Sequence, residues 1–208
     1  MELILAEKPS AARNFAKALG GKTGNYAGTE YKITNLRGHV MGLLPPDKQV
    51  PTEKVEFYRS WDLENLPWNL NDFAWKKGIL SGCKDIISGL KDELKDADCV
   101  VIATDVDPSG EGELLAWEAL EKCGWRGPTK RMYFADEAPA SVQKAFRERK
   151  TLPSMDKDGD YVKAVVRERW DLASMQFTRA TTLVARKRGF RTVVRQGRLK
   201  SVMVKLTG

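Results

Sequence analysis

The sequence predicts an α/β fold: a mostly parallel sheet flanked by helices, followed by a partial, mainly helical segment. Three observations carry this. Two short apolar runs, Leu3-Ile4-Leu5-Ala6 and Val100-Val101-Ile102-Ala103, have the composition of strands buried on both faces. Each is followed by a turn and a helical pattern, and that alternation continues to about residue 150. Beyond it, residues 151–208 hold 13 Lys and Arg against 5 Asp and Glu and read as basic helix.

The elements follow in order. After the first run come Glu7 and Lys8, then Pro9, which suits a first helical turn. Ala11, Ala12, Phe15, Ala16 and Leu19 keep helical spacing, and Gly20-Gly21 ends the helix. Residues 31–36 alternate as a strand. Pro45-Pro46, Pro51 and Pro67 mark loops, with Trp61 and Trp68 as their anchors. Ile79, Leu80, Cys83, Ile86, Ile87, Leu90 and Leu94 predict one helical stripe. The second apolar run leads into a helix from about Glu113 to Lys122. A strand over 129–134 and a helix over Ala138–Arg149 follow. A boundary is expected at Thr151–Asp158, dividing the chain into residues 1–150 and 151–208, and Tyr161 to about Lys187 reads as helix.

Composition narrows the chemistry. The 208 residues carry one histidine, His39, and three scattered cysteines, Cys83, Cys99 and Cys123. Ser-His-Asp, Cys-His and multi-histidine metal sites within this chain are thereby excluded, as are a disulfide framework and a cysteine zinc site. No apolar run reaches membrane-spanning length and the start is no secretory signal, so a cytoplasmic, nucleoid-associated location is the expectation. The net charge is +7, and the basic excess lies wholly after residue 150. That asymmetry points to a polyanion, nucleic acid first.

The densest chemical signal ends the second apolar run: Thr104-Asp105-Val106-Asp107-Pro108-Ser109-Gly110-Glu111-Gly112-Glu113. Asp105 and Asp107 share a face if extended backbone persists. Like charges this dense repel, and a hard cation such as Mg²⁺ relieves the repulsion. Ligands in open α/β sheets bind beyond the carboxyl ends of strands, which draws Glu7 towards Asp105, Asp107 and Glu111.

Six ordered elements resemble the amino-terminal part of a type IA DNA topoisomerase, closest to the topoisomerase III branch. They are Ile4-Leu5-Ala6-Glu7-Lys8-Pro9-Ser10, Gly38-His39-Val40, and the Asp105–Glu113 stretch, which is similar to the D-x-D…E-G-E core of the TOPRIM domain. Arg131-Met132-Tyr133-Phe134, the segment from Arg169-Trp170-Asp171-Leu172 to Phe177-Thr178-Arg179-Ala180, and Gln196-Gly197-Arg198-Leu199-Lys200-Ser201 complete them. The resemblance implies a TOPRIM domain over residues 1–150 and the incomplete start of a DNA-binding domain over 151–208. It implies Mg²⁺ on Asp105, Asp107 and Glu111, with Glu113 a lesser candidate. Glu7 and Lys8 would be catalytic, Glu7 handling the proton on the 3′-oxygen and Lys8 stabilising charge on the phosphate. Single-stranded DNA would meet Arg169, Arg179, Arg195, Arg198 and Lys200. His39 would orient a group near DNA or hold a turn.

Two departures stand out. The family follows the second Asp with Arg and then Glu-Gly-Glu, whereas Pro108-Ser109-Gly110 makes this loop two residues longer, without the arginine. The family's tyrosine, which forms a 5′-phosphotyrosyl bond, stands in a Tyr-Pro-Arg-Thr-like context that none of the five tyrosines here has. A fragment or split form is expected, inactive alone and completed by a tyrosine-bearing remainder in cis or in trans. Two other readings stay open: a TOPRIM nuclease or primase-like enzyme that needs no tyrosine, and a non-catalytic single-strand-binding accessory.

Overall fold

A computed structural model describes residues 1–197 together with Met203, Lys205 and Leu206. The chain divides into two compact units, the first of residues 1–42 and 79–165 and the second of 43–78 and 166–208.

Unit 1 is built on a six-stranded sheet. In chain order its elements are β1 (Glu2–Ala6), α1 (Pro9–Leu19), β2 (Thr23–Tyr26) and β3 (Thr29–Asn35). A two-stranded sheet joins β4 (Met41–Leu43) to β5 (Lys77–Ile79), where the chain leaves unit 1 and returns. Short helices α2 (Pro46–Gln49) and α3 (Val55–Arg59) lie in the excursion between them. Then come α4 (Lys84–Glu93), β6 (Cys99–Ala103), α5 (Glu111–Cys123), β7 (Thr129–Arg131), α6 (Pro139–Arg147), β8 (Lys150–Thr151) and α7 (Gly159–Lys187), which begins in unit 1 and continues in unit 2.

The strand order is β2-β3-β1-β6-β7-β8, parallel in the four central strands and antiparallel at both edges. Both apolar runs form central strands, because both their faces are covered. Leu3, Leu5, Val100 and Ile102 pack with Ile87 and Leu90 of α4 and Leu115 and Leu120 of α5. Ile4, Ala6, Val101 and Ala103 pack on the other face with Phe15 of α1 and Val142 and Phe146 of α6. The register sets Ala6 opposite Ala103, so β1 and β6 end level with each other. That alignment places Glu7 beside the residues that follow β6.

Three expectations differ. The stripe from Ile79 to Leu94 is not one helix: Ile79 closes β5, the Leu80 N–H donates to the Val40 carbonyl, and Gly82 takes a left-handed φ of 76° before α4 starts at Lys84. The strand over 129–134 is shorter than its apolar pattern. The compact units also do not follow a single cut at residue 150, because the excursion 43–78 has its own core. There Val50, Tyr58, Trp68 and Phe73 pack with Leu172 of α7.

Candidate active site at the carboxyl ends of the central strands

The site is assembled where β1 and β6 end. The Asp105 N–H donates to a Glu7 carboxylate oxygen at 3.1 Å, joining positions 98 residues apart. The Lys8 ammonium reaches the Asp105 carboxylate at 3.3 Å, both side chains about half exposed. The His39 Nε2 lies 2.7 Å from a Glu111 carboxylate oxygen. The Gly38 N–H donates to the Glu7 carbonyl and so ties the His39 loop to the end of β1.

Electrostatics follow this grouping. Burial raises the Glu7 carboxyl above the ordinary range, and the negative charges of Asp105 and Glu111 push the same way against the Asp105 N–H and Lys8. The Lys8 ammonium is raised by its hydrogen bond to Asp105. A group of like charges around a partly desolvated acid is a common arrangement at reactive sites.

Beneath these half-exposed groups lies a buried frame. Arg131 is fully buried, and its Nε donates to Glu113 at 2.6 Å. Its remaining N–H groups donate to the carbonyls of Thr104 at 2.7 Å, Met132 at 3.1 Å and Asp105 at 3.1 Å. A buried guanidinium must be paired and hydrogen-bonded to persist, and here the groups that satisfy it are the strand-end backbone itself. Glu113 is therefore occupied as the partner of Arg131. The sequence carries a faint signal for this: Thr129 and Arg131 alternate with Lys130 on a strand, so Arg131 shares the inward face with Thr129.

Two glycines let the start of helix α5 pack closely, Gly112 against the residues that follow β6 and Gly110 against the start of α7. A Cβ on Gly112 would stand 2.1 Å from the Asp105 carbonyl oxygen, and the Thr104 hydroxyl donates to the Gly112 carbonyl at 2.8 Å. Gly110 has a left-handed φ of 75°, and a Cβ there would meet the Asp160 carbonyl oxygen at 2.2 Å. Both positions require the absence of a side chain.

The structure thus brings Glu7, Lys8 and Asp105 together, with Glu111 close enough to act on Glu7. Asp107 is engaged within its own loop. Its carboxylate accepts from the Ser109 N–H at 2.7 Å and from the Ser109 hydroxyl. Burial pushes the Asp107 carboxyl up, but the Ser109 hydroxyl and the N–H groups of Ser109, Gly112 and Glu111 outweigh it and hold the group below the usual range.

Among the described residues, no group of three or more His, Cys, Asp or Glu side chains converges on one point. The donor chemistry still fits a hard cation. Mg²⁺ is ordinarily held by one or two carboxylates, with waters and phosphate completing its shell, so a three-residue cage is not required. Glu7 and Asp105 are carboxylates at these strand ends, and the His39 contact leaves Glu111 about two-fifths exposed.

The candidate DNA contacts divide. Arg169 is exposed, its guanidinium 5.1 Å from the centre of the Trp75 ring, and Arg195 is exposed. Arg179 is buried in unit 2, 4.7 Å from the Trp68 ring centre and 5.4 Å from that of Trp61. Its guanidinium donates to the carbonyls of Tyr58 at 2.6 Å and Ser60 at 3.1 Å, so in this geometry it ties the excursion to α7. Arg198 and Lys200 lie outside the described residues.

The Toprim domain model matches residues 2–136, which take in β1, β6, the acidic loop and β7. The chain belongs to the Toprim domain family. DNA topoisomerase 3 of Bacillus subtilis is 30% identical over 184 residues, 86% of this chain and 24% of that protein. DNA topoisomerase 3 of Staphylococcus epidermidis is 30% identical over 151 residues, 71% of this chain and 20% of that protein. These relatives bear out the resemblance to topoisomerase III. The full-length topoisomerase I structure from Thermotoga maritima shares the fold, with a TM-score of 0.50 at 23% identity over 72% of this chain and 21% of that one. The chain thus spans 20–24% of the length of these relatives. Among the described residues, no helix is long and apolar enough to cross a membrane.

Proposed function

We propose that this Toprim chain supplies the cation-binding and phosphate-facing part of a topoisomerase-3-type reaction on single-stranded DNA. One observation carries the reading: Glu7 and Lys8 of the first motif meet Asp105 of the second, through the Asp105 N–H and the Lys8 ammonium. In this reading Asp105 holds Mg²⁺ together with water and phosphate oxygens, with Asp107 and Glu111 as the further candidate ligands. When bound, such a cation neutralises phosphate charge and orients the scissile phosphodiester.

The chain's own groups have distinct roles. Lys8 exchanges its exposed contact with Asp105 for a phosphate oxygen. Glu7, whose carboxyl is raised first by burial, is suited to moving a proton at the 3′-oxygen. A tyrosine oxygen from a separate segment, in cis or in trans, bonds to phosphorus as the P–O3′ bond breaks and the 3′-oxygen takes a proton. Religation reverses these steps. Trp170 and Phe177, each more than half exposed in unit 2, offer rings for base stacking beside exposed arginines.

The test is fluorescence anisotropy of a labelled single-stranded oligonucleotide with and without Mg²⁺, followed by a denaturing gel. Mg²⁺ should tighten binding, Asp105→Asn should remove that gain, and the gel should show neither cleavage nor adduct. Mg²⁺-dependent nicking by the chain alone would replace this reading with a Toprim nuclease. Binding indifferent to Mg²⁺ and to Asp105→Asn would leave an accessory binding protein.

A further inference from the structure

Unit 1 carries a cavity of about 620 Å³ at the amino end of β7. The candidate active site stands at the other end of the parallel strands. Trp117, Leu120, Trp125, Leu152 and Met155 give the cavity its apolar walls. Both indoles are fixed in place. The Trp117 ring N–H donates to the Asp158 carboxylate at 2.8 Å, and that of Trp125 to the Thr129 hydroxyl at 3.2 Å. A Cβ on Gly127 would stand 2.4 Å from the Trp125 ring, so glycine is what lets that ring lie against the backbone. A preformed apolar cavity of this size, with a few polar groups at its mouth, is the common form of a binding site.

Two further features lie at the mouth. Glu121 and Asp156 are exposed carboxylates, and Arg126, the cation beside them, donates to the Trp125 carbonyl at 2.9 Å. The rim is therefore net negative. Thr151, which also lines the cavity, belongs to β8, an edge strand of the sheet. β8 runs antiparallel to β7 with Thr151 opposite Lys130, and the Leu152 N–H donates to the Thr129 carbonyl at 2.9 Å. Inward and outward groups alternate along such a ladder, so the N–H and C=O of Thr151 point away from β7 to the open edge. An open edge beside a pocket suits an extended peptide, whose backbone pairs with the edge while a side chain fills the pocket.

We propose that this edge docks an extended peptide beside β8, with one large apolar side chain in the cavity and a neighbouring Lys or Arg at Glu121 and Asp156. β8 is two residues long, so the pairing is short and the cavity supplies most of the affinity. A neutral peptide would leave the two carboxylates unanswered, and an acidic one would be repelled by them. The proposal stands apart from the cation reading above, because no group of the candidate active site takes part in it.

The test selects a phage-displayed library of random octapeptides on the full chain, then measures the enriched sequence as a fluorescein-labelled peptide by anisotropy. That sequence should carry an aromatic or large aliphatic residue beside Lys or Arg. Glu121→Gln together with Asp156→Asn should weaken its binding about fivefold at low salt and flatten its salt dependence. Thr151→Pro removes the outward N–H, and an edge strand tolerates proline there. It should weaken binding about fivefold while the melting temperature moves by less than about 2 °C. If Thr151→Pro fails to fold, peptides N-methylated at one backbone position after another make the same cut from the other side, and at least one of them should lose binding. No enriched sequence, an acidic one, or one whose binding none of these changes moves would overturn the proposal.

Discussion

Lys8 of unit 1 and Arg179 of unit 2 are motif cations in opposite surroundings. At the strand ends of unit 1, Lys8 stands half exposed with a single 3.3 Å contact to the Asp105 carboxylate. In unit 2, Arg179 is buried against Trp68 and Trp61, with two carbonyls accepting from it. Both residues sit in stretches that resemble the same family, yet one has an exposed, exchangeable contact and the other is buried in a fold contact. A basic residue in a motif becomes a candidate contact once its donors are shown to be available. Arg131 makes the same point inside unit 1: a full charge directly below the site, spent entirely on Glu113 and the strand-end backbone.

The largest expected effect follows from that frame. Arg131→Ala leaves Glu113 charged and buried without its partner and three backbone carbonyls without donors. Breaking a buried pair from one side costs about 3–5 kcal/mol. Chemical denaturation should show that loss, and Arg131→Lys should recover little, since one ammonium cannot reach Glu113, Thr104 and Asp105 together. A loss below about 1 kcal/mol would mean that the strand end does not depend on this frame.

Arg179→Ala tests the other half of the comparison. It removes a buried guanidinium stacked on Trp68 and two charged hydrogen bonds, for an expected loss of about 2–4 kcal/mol. Unit 2 should melt earlier, read by tryptophan fluorescence, to which it contributes Trp61, Trp68, Trp75 and Trp170 of the six tryptophans. If Arg179→Ala left stability intact and abolished DNA binding, Arg179 would return to the set of DNA contacts that its motif suggests.

How much of this was legible beforehand depends on the physics of each element. β1 and β6 are continuous apolar runs with both faces covered, so composition alone identifies them. α1 is bracketed by Pro9 and Gly20, and α5 follows a strand end with a Gly-rich turn. Glu7 and Asp105 could be drawn together in advance, because ligands in open α/β sheets bind beyond the carboxyl ends of strands and both residues lie at such an end. The short strands β2, β4, β5 and β8 were not legible: they are two to four residues long, and backbone pairing rather than side-chain pattern defines them. The burial of Arg179 was equally hidden. It depends on aromatic residues more than 100 positions upstream, and a sequence prints their presence without their proximity. The engagement of Asp107 by Ser109 had a visible cue in the longer loop, but spacing alone could not tell which of the acids that loop would occupy.

A smaller effect separates the units by pH. Burial, with help from Asp72, pushes the Tyr58 hydroxyl up to about 12, and that hydroxyl donates to the Asp72 carboxylate at 2.7 Å. The folded state therefore holds this proton more tightly than the unfolded chain does. The stability it contributes is complete below about pH 10 and is lost as pH rises towards 12. Tryptophan-monitored melts at pH 9 and pH 11 should show unit 2 weakening at the higher value. Tyr58→Phe should flatten that difference; an unchanged slope would place the titrating group elsewhere.

Lys8 should give the smallest stability effect, and that is its diagnostic value. An exposed ion pair is worth about 0–1 kcal/mol, and Lys8→Ala also leaves Asp105 open to water rather than buried. The melting temperature should therefore move little, in contrast to Arg179→Ala. Binding should respond differently. If Lys8 meets a phosphate, its removal lowers single-stranded DNA affinity at low salt and reduces the slope of log affinity against log salt by about one contact. Lys8→Arg should restore part of the affinity, because a guanidinium also suits phosphate oxygens. A Lys8→Ala chain with parental affinity and an unchanged salt slope would show that exposure and a single exchangeable contact are not enough. The comparison between the two units would then rest on packing alone.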